Sequence, residues 1–96
     1  MNFEYRPLPP CVTIDISSLE GLGLMAVEDI PTGTCLGITH HKIGKELIRT
    51  PLGGFINHSD NPNCFINENY SLYTVKPINK GEELTVYYRL TQQSSN

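Results

Sequence analysis

Apolar and polar residues alternate over short stretches of this chain, and clusters of turn residues separate those stretches. Val12 to Ile16 alternates in this way and is rich in β-branched residues, which predicts a half-buried strand. Stretches of similar strand character are residues 24–27, 35–40, 64–66, 70–75 and 83–88. Only Lys42 to Pro51 has helical character, and it is short. The pattern predicts a mainly β fold of several short strands with little helix.

One turn pattern occurs twice along the chain. Four positions recur 48 residues later (75 minus 27), and the pairs are Val27 and Val75, Ile30 and Ile78, Gly33 and Gly81, and Leu36 and Leu84. Such a unit needs glycine at its corner and apolar residues where the strands enter and leave. We interpret the echo as repeated use of a stable turn, which again indicates many short strands.

Length and composition narrow the class of protein. The 96 residues are enough for one modest core, so a single domain is predicted over 1–96, with an extended arm at 1–11 and a polar, frayed tail at 89–96. The net charge is −3 and the basic residues nowhere form a run, which favours a cationic partner over nucleic acid. No stretch resembles a membrane span or a signal peptide, so an intracellular protein without a membrane partner is predicted.

The three cysteines do not suggest a disulfide or a zinc site. Cys11, Cys35 and Cys64 are widely spaced, form no Cys-x-x-Cys pair and lack histidines at zinc-ligand spacing. Each is therefore predicted to be a small buried hydrophobic residue, and no metal is predicted.

The most informative stretch is 53–64. Gly53-Gly54 allows close approach of the backbone, and Asn57-His58-Ser59 presents amide, imidazole and hydroxyl groups in succession before Asn61-Pro62-Asn63 turns the chain. Taken alone, Asn57-His58-Ser59 favours an ordinary polar turn with one histidine over a site. The whole stretch has the composition of a binding site.

This stretch resembles the asparagine-histidine motif of SET-domain protein lysine methyltransferases. Gly21-Leu22-Gly23 is similar to the family's early glycine motif, and 76–88, which contains Gly-Glu-Glu-Leu-Thr and ends in Tyr88, is similar to its closing motif. The three motifs occur in the family's order over roughly Val12 to Tyr88. The compactness resembles the minimal SET domains of viruses and bacteria.

The resemblance implies a SET-domain β-clip with a C-terminal pseudoknot, and S-adenosylmethionine as cofactor. It implies a catalytic role for Tyr88, whereas Tyr88 taken alone, with Leu84 and Val86 on its face, favours a core aromatic. The residues implied to bind the cofactor are Glu20, Leu22, Gly23, Leu24, Gly54, Phe55, Asn57 and His58. The residues implied to line the substrate channel are Ile66, Val86 and Tyr87.

The sequence departs from the family pattern in several places. Gly54 stands where the family often has arginine, the usual Glu-Tyr-x-Gly-Glu segment is reduced to 36–40, and the insert between Thr39 and Gly53 is very short. No cysteine-rich segment follows Tyr88. These departures affect the substrate side most and leave a histone as one candidate substrate among others.

The expected function is S-adenosylmethionine-dependent N-methylation of a lysine side chain in a protein or peptide. The alternative is a catalytically weak SET-like module that binds a peptide or the cofactor, and a purely structural domain would leave Asn57, His58 and Tyr88 unexplained. Ile66 and Val86 cannot donate hydrogen bonds, so products beyond monomethyl-lysine are expected. The open channel and strand edge predict a homodimer. The expected location is the cytoplasm, or the host nucleus if the source is viral.

Overall fold

The computed structural model describes residues 8–87, which form nine short strands and one short helix. In chain order the elements are β1 (Val12–Ile16), β2 (Leu22–Ala26), β3 (Cys35–Ile38), β4 (His40–Ile43), β5 (Glu46–Arg49), α1 (Pro51–Phe55), β6 (Asn57–His58), β7 (Cys64–Ile66), β8 (Ser71–Thr74) and β9 (Glu83–Val86). The predicted fold class, mainly β with several short strands and little helix, is confirmed.

The strands form three small sheets. The first has the order β1-β2-β9-β6, the second β3-β8-β7, and β4 and β5 form a separate hairpin. The β6–β9 pair is parallel, and the other strand pairs described are antiparallel. The predicted hairpin of 64–66 with 70–75 is present as β7 and β8.

One apolar core joins the first two sheets and the helix. Its fully buried side chains include Leu24 and Leu84 from the first sheet, Leu72 from the second and Leu52 from α1. Burial of one such leucine side chain contributes roughly 1.5–3 kcal/mol. Buried and exposed residues do not alternate in β9, because this strand lies in the interior of its sheet and Thr85 is buried along with Leu84 and Val86.

The two halves of the sequence echo bind each other. Ile30 and Ile78 exchange both backbone hydrogen bonds, at 2.7 and 2.9 Å. The surrounding bonds are reciprocal: Ala26 N donates to Glu82 O and Thr74 N to Thr34 O, while Gly81 N donates to Ala26 O and Gly33 N to Thr74 O. Gly33 and Gly81 both adopt left-handed φ values, 83° and 91°. The two copies of the turn therefore hydrogen-bond to each other and bring β2 next to β9 and β3 next to β8. An isolated stable turn would not need a second copy as its partner.

The predicted helix at Lys42 to Pro51 is wrong. Residues 40–49 form the β4–β5 hairpin, which turns at Gly44 with φ 61°. Cross-strand pairing of β-branched Ile43 and Ile48 with their partners outweighs the weak helix propensity of this segment. The helix that does form, α1, begins where the predicted helix ended.

Several boundaries also differ from the predictions. The second strand begins at Leu22, the predicted strand 35–40 is broken at Thr39, and the last strand ends at Val86. Cys64 is buried as predicted, whereas Cys35 is exposed and Cys11 is half-buried, so the prediction of three buried cysteines is wrong for Cys35.

The chain ends lie largely outside the described residues. Of the predicted arm 1–11, Leu8 and Cys11 pack against the core. The predicted tail 89–96 and Tyr88 fall outside the described range, and the C-terminal pseudoknot stays a prediction. Within residues 8–87, no helix is long and apolar enough to cross a membrane.

Candidate functional site

Helix α1 and the strand after it position the Asn57-His58 pair. Thr50 caps the helix by accepting a hydrogen bond from Gly53 N at 3.3 Å, and Pro51 occupies its first turn. The chain then leaves the helix at Ile56 and pairs in parallel with β9, so that Asn57 lies opposite Thr85. This pairing fixes Asn57 and His58 beside the last strand described.

The glycines of the motif have different surroundings. A Cβ at Gly53 would overlap the carbonyl oxygen of Thr39, so the close approach at this position is to the protein's own backbone. Thr39 is fully buried, and its carbonyl also accepts from Thr50 N at 2.9 Å. Gly54 is exposed with open space around it, so a ligand could approach there.

The Asn57 side chain is the centre of a polar cluster. Its Nδ2 lies 2.8 Å from Glu83 Oε2 and 3.2 Å from each of Ser17 Oγ, Glu20 O and Leu22 O. Carbonyl and carboxylate oxygens only accept, so these neighbours assign the amide nitrogen, rather than the amide oxygen, to this position. Asn57 thereby ties the β1–β2 loop to strands β6 and β9.

Ser17 and Glu83 complete this cluster, and the sequence-based predictions did not include them. Ser17 Oγ donates to the Glu83 carboxylate, with distances of 2.7 and 2.9 Å to its oxygens, and accepts from Leu19 N at 2.8 Å. A Cβ at Gly23 would overlap Glu83 Oε2, so a larger residue at this position would displace the Glu83 carboxylate from the cluster. Glu83 belongs to the closing Gly-Glu-Glu-Leu motif, which was the signal available in the sequence.

The other predicted cofactor residues differ in accessibility. Glu20 is exposed and Leu22 is 49% exposed, whereas Leu24 is fully buried between β1 and β9 and could offer a ligand no side-chain contact. Phe55 is half-buried against the core. His58 is exposed; its Nε2 lies 3.1 Å from Asp60 Oδ1.

The three predicted channel residues lie together. Ile66, Val86 and Tyr87 line one cleft of about 770 Å³. Its other lining residues are His40, Pro62, Cys64, Phe65, Asn67, Glu68 and Tyr70. Burial raises the pKa of the Cys64 thiol to about 12, so this thiol stays neutral and, with Ile66 and Val86, forms an uncharged part of the cleft lining. The His58 ring packs on Tyr87, with 4.9 Å between ring centroids, and so joins the Asn-His motif to this cleft.

His40 and Tyr70 form part of the cleft wall that the sequence-based site prediction missed. Their ring centroids are 5.4 Å apart. Tyr70 has φ 64°, a left-handed value that is rare for a bulky residue, and the backbone N–H and hydroxyl of Thr39 both donate to its carbonyl, at 2.8 and 3.2 Å. Burial and, secondarily, the charge of Arg49 lower the pKa of His40, so its neutral form is favoured.

Tyr88, the predicted catalytic residue, lies just beyond the described range and directly after Val86 and Tyr87 in sequence. Among the described residues, no three His, Cys, Asp or Glu side chains group as metal ligands would. The arrangement in residues 8–87 offers a polar cluster with an exposed loop and a largely apolar cleft, joined through β6 and β9.

Comparisons with known proteins agree with this fold. The SET domain family matches residues 44–89, which include the asparagine-histidine and closing motifs. A crystal structure of a Plasmodium falciparum protein, named as a candidate histone methyltransferase, is similar with a TM-score of 0.68 and 22% identity, over 83% of this chain and 94% of that one. No curated protein sequence gives a significant match.

Proposed function

We propose that this chain, which carries a SET domain, transfers a methyl group from S-adenosylmethionine to a lysine side chain of a protein or peptide. The family match supports the reaction class, and the similarity in structure supports the fold.

The observation that carries the proposal is the parallel pairing of β6 with β9. It sets Asn57 opposite Thr85 and His58 opposite Val86, a residue that also lines the cleft. A donor held near the asparagine-histidine motif and a lysine in the cleft would therefore meet at one strand. Methyl transfer requires this kind of in-line alignment of donor and acceptor.

The residues around the polar cluster fit the proposed cofactor. Leu22, Gly54 and His58 are exposed, and two acidic residues contact Asn57, Glu83 through its carboxylate and the exposed Glu20 through its main-chain carbonyl. Negative charge at this position suits a cationic ligand. S-adenosylmethionine, when bound, supplies an electrophilic methyl group on a sulfonium. Asn57 acts chiefly by positioning, because its amide holds the loop carbonyls of Glu20 and Leu22.

The cleft residues act on the acceptor. Ile66, Val86 and the neutral Cys64 would surround the aliphatic stem of lysine and exclude water from it. An apolar wall also disfavours the ammonium form of the lysine, which helps to provide the neutral amine that attacks the methyl carbon. Tyr88 would orient that amine through its phenol oxygen.

Titration calorimetry with S-adenosylmethionine and mass spectrometry of lysine peptides test the proposal. We expect the protein to bind the cofactor. We also expect the mass of the peptide to rise in steps of about 14 Da, the mass of one added CH₂. Tyr88→Phe should reduce turnover at least about tenfold with cofactor affinity nearly kept, as for an interaction made in the transition state. Equal turnover would remove Tyr88 from the catalytic role.

Two other outcomes would replace the proposal. Cofactor or peptide binding without turnover would support the alternative of a binding module. Absence of both would leave a structural β-clip domain.

We also propose a homodimer. Ile16 at the end of edge strand β1 is 78% exposed, and Leu19 in the following loop is exposed too. A second copy could cover this apolar edge. Sedimentation at working concentration tests this, and a fully active monomer would contradict it.

A further inference from the structure

The β4–β5 hairpin has one cationic face. The cross-strand register pairs His40 with Arg49 and Lys42 with Leu47, and paired residues share a face of a hairpin. The opposite face carries His41, Ile43, Glu46 and Ile48. We call the face formed by His40, Lys42, Leu47 and Arg49 the basic face.

This face contrasts with the rest of the protein. Residues 40–49 contain three of the seven lysines and arginines but only one of the ten acidic residues, Glu46, which lies on the opposite face. With histidine neutral, the segment therefore has a formal charge of +2 (three minus one), whereas the whole chain has −3. Such a local concentration of one sign selects partners of the other sign.

The basic face continues directly from the cleft. His40 is at once the first residue of β4 and part of the cleft wall, where its ring contacts Tyr70. His40 Nδ1 is fixed 2.9 Å from Thr39 Oγ1, so the hairpin is anchored at the cleft's edge. Beyond His40, Lys42, Leu47 and Arg49 are exposed and open to a ligand.

The cleft and the basic face offer opposite charges. Glu68, from the turn between β7 and β8, lines the cleft and is exposed, so it can attract the ammonium form of an incoming lysine, which loses its proton before the amine attacks. Lys42 and Arg49 can attract carboxylates, and exposed Leu47 between them adds apolar contact. When a peptide places its lysine in the cleft, the residues beside that lysine must pass along a wall of the cleft. His40 belongs both to the cleft wall and to the basic face, so one such path runs along the basic face.

We infer that the basic face docks the segment of the substrate that flanks the target lysine, and that this flanking segment is acidic. The inference rests on the proposed function and narrows its substrate class to lysines with aspartate or glutamate neighbours. Lysines embedded among other lysines and arginines would be disfavoured by repulsion from Lys42 and Arg49.

Three matched peptides test the inference. Each carries one central lysine, and the residues on both sides are glutamate, alanine or arginine. One exposed ion pair changes binding about 1.5- to 5-fold, so two pairs should raise kcat/KM of the glutamate peptide roughly fivefold over the alanine peptide. The preference should nearly vanish in 1 M salt, where the screening length falls to about 3 Å.

Charge reversal identifies the surface. The double variant Lys42→Glu/Arg49→Glu should invert the preference, and Lys42→Gln/Arg49→Gln should abolish it. Lys76→Glu/Lys80→Glu makes the same change in net charge at exposed positions that do not line the cleft, and it should keep the preference. Circular dichroism melting confirms that each variant is folded.

Binding of fluorescein-labelled peptides, measured by anisotropy, separates this inference from the proposed function. Turnover of all three peptides at equal kcat/KM would overturn the inference and leave the function standing. A glutamate preference in binding without methyl transfer to any peptide would overturn the function and leave the docking face standing. If no peptide were methylated and all three bound equally, both the proposed function and the docking inference would be overturned.

Discussion

Asn57→Asp replaces the donor at the centre of the polar cluster by an acceptor of nearly the same shape. Wild-type Nδ2 is surrounded by acceptors only, with Glu83 Oε2 nearest at 2.8 Å. The substitution therefore brings a carboxylate against a carboxylate, whereas Asn57→Ala only removes the donor. We expect both variants to lose stability and the aspartate variant to lose more.

The magnitudes follow from the contacts. An amide nitrogen has two hydrogens, so Asn57→Ala loses about one bond to a charged group, worth roughly 1.5–3 kcal/mol, and one neutral bond of about 0.5–1.5 kcal/mol. Asn57 is only half-buried, so water can replace part of the lost hydrogen bonding. We therefore expect the free energy of unfolding to fall by about 2–3 kcal/mol. Two unit charges near this separation repel by about 1.5–6 kcal/mol for effective dielectric constants of 80 to 20. After relaxation, the aspartate variant should be less stable than the alanine variant by at least about 1 kcal/mol.

Urea unfolding at pH 7.5 and pH 5 measures both effects. Repulsion raises the pKa of the introduced carboxyl in the folded state, so the folded state binds more protons than the unfolded state and stability rises as pH falls. The deficit of Asn57→Asp relative to Asn57→Ala should therefore shrink at pH 5. Cofactor affinity should fall by about 1–3 kcal/mol in Asn57→Ala, since the loop it holds is released.

Asn61→Asp is the matched control. It makes the same chemical change on an exposed turn, where Lys76 Nζ lies 3.2 Å from Asn61 Oδ1, so stability should stay within about 0.5 kcal/mol of the wild type. If Asn57→Asp were as stable as the wild type at pH 7.5, the amide would not be the donor that holds this cluster together.

Three further predictions concern the helix, the cleft and the pH dependence of stability. Gly53→Ala should cost at least about 2 kcal/mol in urea unfolding because its Cβ would overlap the Thr39 carbonyl, whereas Gly54→Ala, in open space, should be neutral or slightly stabilising. Val86→Tyr should stall mass-spectrometric product at one added methyl group, whereas the wild type should go further; an early stall in the wild type would mean that another side chain restricts the cleft. Burial lowers the pKa of His40 in the folded state, so its contribution to stability is present above the ordinary histidine pKa and is lost as pH falls through the lowered one. His40→Gln should therefore lose less stability than the wild type between pH 7.5 and pH 4.5 in melting experiments. If the two proteins lost the same stability over this range, His40 would not be the group responsible.

Local patterns in the sequence determined most of the strands and the location of the candidate site. The alternation at Val12–Ile16 predicted the strand with its observed bounds, and Val12 and Ile14 pack against the core as a period of two requires, whereas Ile16 at the strand end is exposed. The sequence assigned Gly33 to a turn because glycine adopts backbone angles closed to other residues, and the structure gives it a left-handed φ of 83°. The motif around Asn57 is local as well, so its resemblance to the SET family could be recognised without a structure.

The tertiary structure decided which distant groups meet. The Asn57 cluster joins residues 40 and 26 positions away in sequence, Ser17 and Glu83, which no local pattern relates to one another. The segment 42–51 carries only a weak helix preference, and the pairing of β4 with β5 made its residues 42–49 part of a hairpin. The left-handed backbone of Tyr70 depends likewise on hydrogen bonds from Thr39, 31 residues earlier. Propensity and periodicity act over a few neighbouring residues, whereas these features depend on long-range hydrogen bonds and packing that exist only in the folded chain.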